Sequence, residues 1–191
     1  MQTVKYFTQD ELASLFKAIK KKKSKYWLRD YCIFRVAYRC ALRASEVGLL
    51  TVAEYNAQRS ELYCNRLKNS QNNTIRLDDE TKKALEKYIR DYGIDDCLFP
   101  SQVSKPISRQ TLDLLMRKYC KVAKISDKKK WHFHSLKHSV AVHLADSGLD
   151  VKELQHYLGH KNVNSTLVYF QFTTRQQDNM YKKLEQRNYL V

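Results

Sequence analysis

The chain has 191 residues, of which 43% are hydrophobic and only four are Gly and two Pro, so it is long enough for one compact domain and is neither disordered nor fibrous. Its 35 Lys and Arg against 20 Asp and Glu give a formal net charge of +15, which is typical of proteins that bind a polyanion, nucleic acid first. The sequence shows no apolar run of about 18 residues and no apolar segment near its start, so neither a membrane span nor secretion is predicted, and we expect a cytoplasmic protein.

The first forty residues predict two helices. Thr8 has the position of an N-cap, and Glu11, three residues later, completes a capping box. A helix is therefore predicted from there to about Ile19, and a second apolar helix over residues 27–40.

Between residues 49 and 77 the periodicity changes from helical to alternating. SELYCNRL and NTIRL alternate polar and apolar residues on either side of the polar turn 68–73, which predicts a β-hairpin with one short strand before it. Helical periodicity returns in residues 79–92, and Ser108 is predicted to cap another helix that runs to about residue 122.

The last third of the chain repeats the capping pattern of its beginning. Asp150 and Glu153 predict a helix start, and Gly159 predicts its end, which leaves His160 just past that helix. The sequence contains no internal repeat and no linker that would divide it. We therefore predict one domain over residues 1–191 with an α+β fold, mainly α-helical with a small antiparallel β-sheet.

Neither the cysteines nor the histidines predict a metal site. His134 and His138 have i, i+4 spacing, but Ser135 stands where zinc proteases have a glutamate, and no third ligand lies at a recognisable distance. The cysteines are odd in number and form no CxxC pair, which argues against a zinc ribbon and a disulfide framework. We expect all five to be small buried residues: Cys32, Cys40, Cys64, Cys97 and Cys120.

Five elements occur in a fixed order along the chain: ALRASEVGLL at 41–50, the lysine turn at 68, HSLKH at 134–138, LGH at 158–160, and Tyr169. Together they resemble the catalytic domain of the tyrosine recombinases, the phage integrase family. The resemblance covers nearly the whole chain. It implies that this sequence folds as such a catalytic domain.

Carried over by position, the resemblance assigns six catalytic residues. Arg43 is the first arginine of the family's site, and Lys68 is the lysine of the hairpin. His134 and Lys137 are the first and last residues of the His-x-x-Arg motif, His160 is the later histidine, and Tyr169 is the nucleophile. One departs from the pattern, because the family usually has arginine where this chain has Lys137.

The implied reaction is attack of the Tyr169 phenol on a DNA phosphodiester, which gives a 3′-phosphotyrosyl intermediate and a free 5′ hydroxyl. His134 would accept the phenolic proton, Arg43 and Lys137 would stabilise the phosphate charge, and Lys68 would protonate the leaving 5′ oxygen. No metal, ATP or organic cofactor is required. The implied activity is site-specific recombination (DNA integration), and the alternatives are relaxation of DNA as by a type IB topoisomerase and a catalytically weakened DNA-binding module.

The remaining basic residues and histidines receive weaker assignments. The histidines at 138, 143 and 156 are interpreted as structural, and His132 stays undecided. Double-stranded DNA is the expected partner. The protein is expected in the bacterial nucleoid, or as the product of a phage or other mobile element. Additional DNA contacts are expected from Arg39, Arg66, Lys105 and Arg109.

The resemblance also predicts self-association, as a tetramer on synapsed DNA. Residues 173–191 continue with helical spacing after the nucleophile and are expected to form a tail that docks on a neighbouring protomer. The family's usual N-terminal core-binding domain is expected to be absent, so the chain is either a piece of a longer enzyme or a short recombinase.

Overall fold

The two predicted N-terminal helices are present in the computed structural model, which describes residues 4–22, 24–68, 70–102, 106–172, 181–182 and 184–185. Helix α1 spans Gln9–Lys21 and helix α2 spans Trp27–Arg39. Thr8 Oγ1 accepts a hydrogen bond from Glu11 N at 3.2 Å, and the Glu11 carboxylate accepts one from Thr8 N at 2.8 Å. The predicted capping box is thereby confirmed.

The alternating segment forms a three-stranded antiparallel sheet in the order β1-β2-β3. A short helix, α3, precedes the sheet; the elements are α3 (Ala44–Val47), β1 (Tyr55–Asn56), β2 (Glu61–Cys64) and β3 (Asn73–Arg76). Leu62 pairs with Ile75, and both side chains are buried. The period-2 pattern thus gives the hairpin and the short strand before it, as predicted.

Two of the remaining helices begin at the predicted caps, Ser108 and Asp150, one begins at the histidine motif, one has the bounds predicted from periodicity, and the short helix before Tyr169 was not predicted. They are α4 (Asp79–Tyr92), α5 (Arg109–Val122), α6 (Ser135–Asp146), α7 (Val151–Leu158) and α8 (Asn164–Leu167). Asp150 accepts hydrogen bonds from the backbone at the start of α7 and forms a capping box with Glu153. Gly159 ends that helix with φ +67°, in the left-handed region that favours glycine.

Helix α2 lies at the centre of the fold, where it packs against α1, α4 and α6. Nine of its 13 residues are buried. A second, smaller core joins α6, α7 and the segment after α8 through Val140, Leu154, Leu158 and Tyr169. The predicted mainly helical α+β fold is confirmed, and its two cores bring the motif-bearing segments together.

One expectation about the cysteines is wrong. Cys97 is only partly buried, whereas the other four are buried. Cys97 lies in the loop after α4 and meets Thr51 through a single β-bridge. In the described part of the chain, no helix is both long and apolar enough to cross a membrane.

Candidate active site

A cleft of about 760 Å³ opens where the hairpin turn faces the N-terminal ends of α3, α5 and α6. Among the described residues that line it, five basic side chains oppose one carboxylate, that of Asp113. The basic residues are Lys5, Arg43, Lys68, Arg109 and Lys129, and His132, His134 and His138 also line the cleft. The cleft is therefore electropositive and suited to a phosphate-bearing ligand.

Arg43 is the N-cap residue of α3, and its guanidinium is held in place at the cleft wall. Its Nη1 donates to Glu46 Oε1 at 2.7 Å, to the carbonyl oxygen of Leu67 at 3.2 Å and to Ser70 Oγ at 3.1 Å. Within the described chain these hydrogen bonds all use Nη1, so Nε and Nη2 remain for an anion in the cleft.

Glu46 holds Arg43 and the hairpin from behind the cleft. Its side chain is completely buried and accepts hydrogen bonds from Arg43 N at 2.8 Å and Leu67 N at 3.0 Å. Burial opposes ionisation, but these bonds and the Arg43 guanidinium hold the pKa of Glu46 below its ordinary value. A carboxylate therefore ties α3 to the strand that leads into the turn.

Arg66 lies inside the protein, so the predicted DNA contact at this position is wrong. Its side chain has no exposed surface, and it donates to Ala41 O at 3.1 Å, to Asn73 Oδ1 at 2.8 and 3.0 Å, and to Tyr157 O at 3.3 Å. Asn73 Nδ2 in turn donates to the carbonyl oxygens of His156 and Tyr157, at 2.8 and 2.9 Å. Together Arg66 and Asn73 fasten the hairpin to the C-terminal end of α7.

The hairpin turn that carries Lys68 is also attached to α7. Gln71 N donates to Gly159 O at 2.8 Å. A Cβ atom on Gly159 would lie 2.5 Å from Gln71 O, so only glycine permits this close approach. Lys68 itself is exposed at the cleft and has φ +56°, the left-handed region. The turn is therefore anchored at one side while Lys68 extends into solvent.

Lys137 reaches the same region from the first turn of α6 but lies behind the cleft. Its side chain is 1% exposed, and Nζ donates to Ala41 O at 3.0 Å and Leu158 O at 3.3 Å. Burial, followed by the charges of Arg66 and Arg43, lowers the pKa of Lys137 to about 7. Two of the three ammonium N–H groups are thus used by backbone carbonyls.

Tyr169 follows α8 and is withdrawn from the cleft. It is 3% exposed, and its ring stacks on that of His160 with centroids 6.4 Å apart. His160 Nδ1 lies 3.0 Å from Thr166 Oγ1, and the Tyr169 hydroxyl lies 3.0 Å from His138 Nδ1. Burial raises the pKa of Tyr169 to about 12, against a smaller opposing effect of Arg43. The phenol is therefore protonated in the resting protein.

Comparison with known proteins decides the family. The sequence model of the phage integrase family matches residues 5–176. The chain belongs to the phage integrase family. A tyrosine recombinase of Pseudothermotoga lettingae is 31% identical over 160 residues, which make up 83% of this chain and 54% of that protein. This chain thus spans about half the length of that relative.

Solved structures of recombinases share the fold. The crystal structure of XerA recombinase superposes with a TM-score of 0.79 at 25% identity and covers 93% of this chain and 64% of that one. XerH site-specific recombinase, bound to a palindromic difH substrate, superposes with a TM-score of 0.80 at 17% identity, over 95% of this chain and 54% of that chain. At such low identity the second likeness shows the fold alone.

His138 was not among the family positions assigned from the sequence, where it was interpreted as structural. It lines the cleft and is the histidine within hydrogen-bond distance of Tyr169. His134, the family-motif residue expected to accept the phenolic proton, packs edge-on against His138 with ring centroids 4.4 Å apart. The i, i+4 spacing of the two histidines was the available signal, since it places them on one face of α6.

The other predicted DNA contacts fall in three places. The Arg109 side chain is 78% exposed at the cleft. Arg39 lies outside the cleft lining, and its Nε donates to Arg76 O at 3.0 Å. Lys105 lies outside the described residues. Among the residues that the structure describes, no group of three or more His, Cys, Asp and Glu is placed to hold a metal ion.

Proposed function

We propose that this chain is the catalytic domain of a site-specific DNA recombinase that cleaves and rejoins DNA through a 3′-phosphotyrosyl intermediate. The observation that supports this most is convergence: Arg43, Lys68 and His134 come from three distant segments and line one electropositive cleft. Tyr169 lies behind the cleft wall and contacts His138, which lines it. A phosphodiester in the cleft would therefore lie between a cationic surface and a phenol.

Arg43 is the residue best placed to hold the reacting phosphate. Its Nη1 is fixed by Glu46 and the hairpin, so the guanidinium is oriented before DNA arrives. Preorganised donors stabilise the negative charge that builds up in the transition state, by about 10²- to 10³-fold in rate for each contact. Lys137, when protonated, adds a positive charge behind this position, and His160 orients the ring of Tyr169 against which it stacks.

Lys68 is assigned as the acid for the leaving group. It is exposed on the hairpin turn, where a flexible ammonium can follow the 5′ oxygen of the cleaved strand. Proton transfer to that oxygen as the P–O5′ bond breaks releases a 5′ hydroxyl rather than an alkoxide. The phosphotyrosyl bond keeps the phosphodiester available for rejoining to another 5′ hydroxyl.

Double-stranded DNA is the proposed partner, because the cleft and the net charge of +15 both fit a polyanion. We infer that the working form is a tetramer on synapsed DNA, in the nucleoid or on a mobile element. Residues 173–191 would provide the docking tail between protomers; most of this tail lies outside the described residues. We prefer a recombinase function to a topoisomerase function because the matched relative and structures are named recombinases.

The proposal is tested by covalent capture on nicked DNA taken from the flanks of the gene. Wild-type protein is expected to form a covalent adduct, and Tyr169→Phe is expected to bind the same DNA without forming one, since only the phenolic oxygen is removed. Tyr181→Phe is the matched control, because Tyr181 is a tyrosine that follows Tyr169 in the chain and is 57% exposed. Adduct formation by Tyr169→Phe near the wild-type level would refute the assignment.

A further inference from the structure

The contact between Tyr169 and His138 is the basis of this inference. The phenolic oxygen lies 3.0 Å from Nδ1, and the two ring centroids are 5.8 Å apart. The histidine lies on α6 and lines the cleft, whereas the tyrosine follows α8 and is buried. His138 is thus placed between the nucleophile and the surface where DNA would bind.

The protonation states of the two groups fix the direction of the hydrogen bond. Burial, followed by the charge of Lys137, lowers the pKa of His138 to about 4, so its imidazole is neutral at pH 7. The phenol is protonated, since burial raises the pKa of Tyr169. The phenolic O–H therefore donates to Nδ1, and the ring proton of His138 is on Nε2.

The two other imidazoles near the phenol are placed differently. His160 Nδ1 is already within hydrogen-bond distance of Thr166 Oγ1, at 3.0 Å, and its ring lies parallel to that of Tyr169. His134 packs edge-on against His138, with ring centroids 4.4 Å apart. His138 is therefore the imidazole that the structure directs at the phenolic proton.

We propose that His138 is a catalytic residue, the general base that accepts the proton of Tyr169 during strand cleavage; this rests on the proposed function. The phenolic proton passes to Nδ1 of His138 as the tyrosyl O–P bond forms, the P–O5′ bond breaks, and the 5′ oxygen takes a proton from Lys68. In rejoining, the 5′ hydroxyl returns its proton to Lys68, and His138 returns its proton to the departing phenolic oxygen. Protons and charges balance in both directions.

A bound phosphate would change the charges around His138. Burial, followed by the charge of Lys137, disfavours protonation of the ring. A bound phosphodiester adds a negative charge to the cleft that His138 lines, and this charge stabilises the imidazolium as it forms. Phosphate binding and proton acceptance are thereby coupled.

The same helix offers a matched control. His143 Nδ1 lies 2.9 Å from the hydroxyl of Tyr38, a tyrosine–histidine pair of the same geometry that does not line the cleft. Substitution of either histidine by asparagine keeps an acceptor near the Nδ1 position but removes a group that takes up a proton at neutral pH. Asn at 138 therefore separates proton acceptance from simple positioning of Tyr169.

The experiment is single-turnover cleavage of nicked DNA by His138→Asn and His143→Asn, with DNA binding and thermal unfolding measured beside it. His138→Asn is expected to cleave about 10²- to 10³-fold more slowly than wild type with DNA binding retained, and His143→Asn within about threefold of wild type. A substrate with sulfur at the 5′ bridging position should not rescue His138→Asn, because the phenol must still lose its proton. Cleavage by His138→Asn within threefold of wild type, or its rescue by the sulfur substrate, would overturn the inference.

A second measurement does not depend on activity. The imidazole ¹⁵N shifts of His138 in the free protein should show a neutral ring protonated on Nε2, and Tyr169→Phe should shift the Nδ1 signal because its hydrogen bond is lost. A ring protonated on Nδ1 would contradict the inference even in an active protein. Failure of wild type to form any adduct, with the expected ¹⁵N pattern present, would instead refute the proposed function.

Discussion

The cleft and the buried polar network behind it, which consists of Glu46, Arg66, Asn73 and Lys137, contain similar residues. They differ in the groups to which their N–H donors are bound. In the network, Arg66 and Lys137 give their N–H groups to backbone carbonyls and Asn73, and Glu46 is wholly buried. In the cleft, Lys68 and Arg109 are exposed, and Arg43 keeps donors that no described residue uses. A basic residue near a motif can therefore contact substrate directly only through donors that the fold does not already use.

The largest expected effect is on the network. Glu46→Gln removes the buried carboxylate that holds Arg43 and Arg66 and should lower the free energy of unfolding by about 3–5 kcal/mol. Asp91→Asn is the control, because Asp91 pairs with Lys87 on the surface of α4 and its loss should have little effect on stability. Urea unfolding of the variants measures both. Equal losses would show that Glu46 is no more important than a surface carboxylate.

The next effect concerns the cleft. Lys68→Ala should leave the free energy of unfolding unchanged, because the side chain is exposed, yet slow cleavage by about 10²- to 10³-fold. A 5′ bridging sulfur, a better leaving group, should restore the rate. Lys152→Ala, at an exposed site on α7 outside the cleft lining, is the control and should cleave normally. The same defect on both substrates would mean that Lys68 binds DNA and donates no proton.

A third, smaller effect tests the link between the two regions. Gly159→Ala places a Cβ 2.5 Å from Gln71 O at φ +67° and should destabilise the protein by about 2–3 kcal/mol. Gly93→Ala has nearly the same φ, +61°, with no atom within 4 Å of the new Cβ, so it should cost only about 1–2 kcal/mol. The difference between the two unfolding free energies isolates the contact with the hairpin turn. No difference would show that the turn moves aside without cost.

The smallest expected effect is that of Lys137→Arg, at the boundary between the network and the cleft. A guanidinium can keep a carbonyl contact and extend another N–H toward the phosphate, so Lys137→Arg should raise single-turnover cleavage by up to about tenfold, or 1.4 kcal/mol of barrier. Lys137→Ala should lose on the order of 10²-fold. Slower cleavage by the Arg variant, together with lower stability, would show that the buried site around Lys137 has no room for the longer arginine side chain.

Much of the fold follows from local signals that the sequence displays. The capping boxes at Thr8 and Asp150 and the alternation around Leu62 and Ile75 depend on neighbours within a few residues, or on one face of a strand. Such patterns specify helix starts and strand faces without knowledge of the rest of the chain. The helix Asp79–Tyr92 accordingly has the predicted bounds.

The site was less predictable, because its residues are sorted by contacts across the chain. Arg43 and Arg66 look alike in sequence, yet one lines the cleft and the other donates to the carbonyls of Ala41 and Tyr157. The role of His138 depends on a partner 31 residues away. Periodicity reports which face a residue occupies but not which distant group meets it there.

Tyr169 is at once the proposed nucleophile and a member of the second core, where it packs with Val140 and Leu158. Exposing this ring to water would cost roughly 2–3 kcal/mol, so a conformer with the ring in the cleft would make up only about 1% of the free protein. DNA that binds such a conformer more tightly would raise its population. On the proposed function, the packing of one aromatic ring would thus keep cleavage slow on DNA that binds weakly.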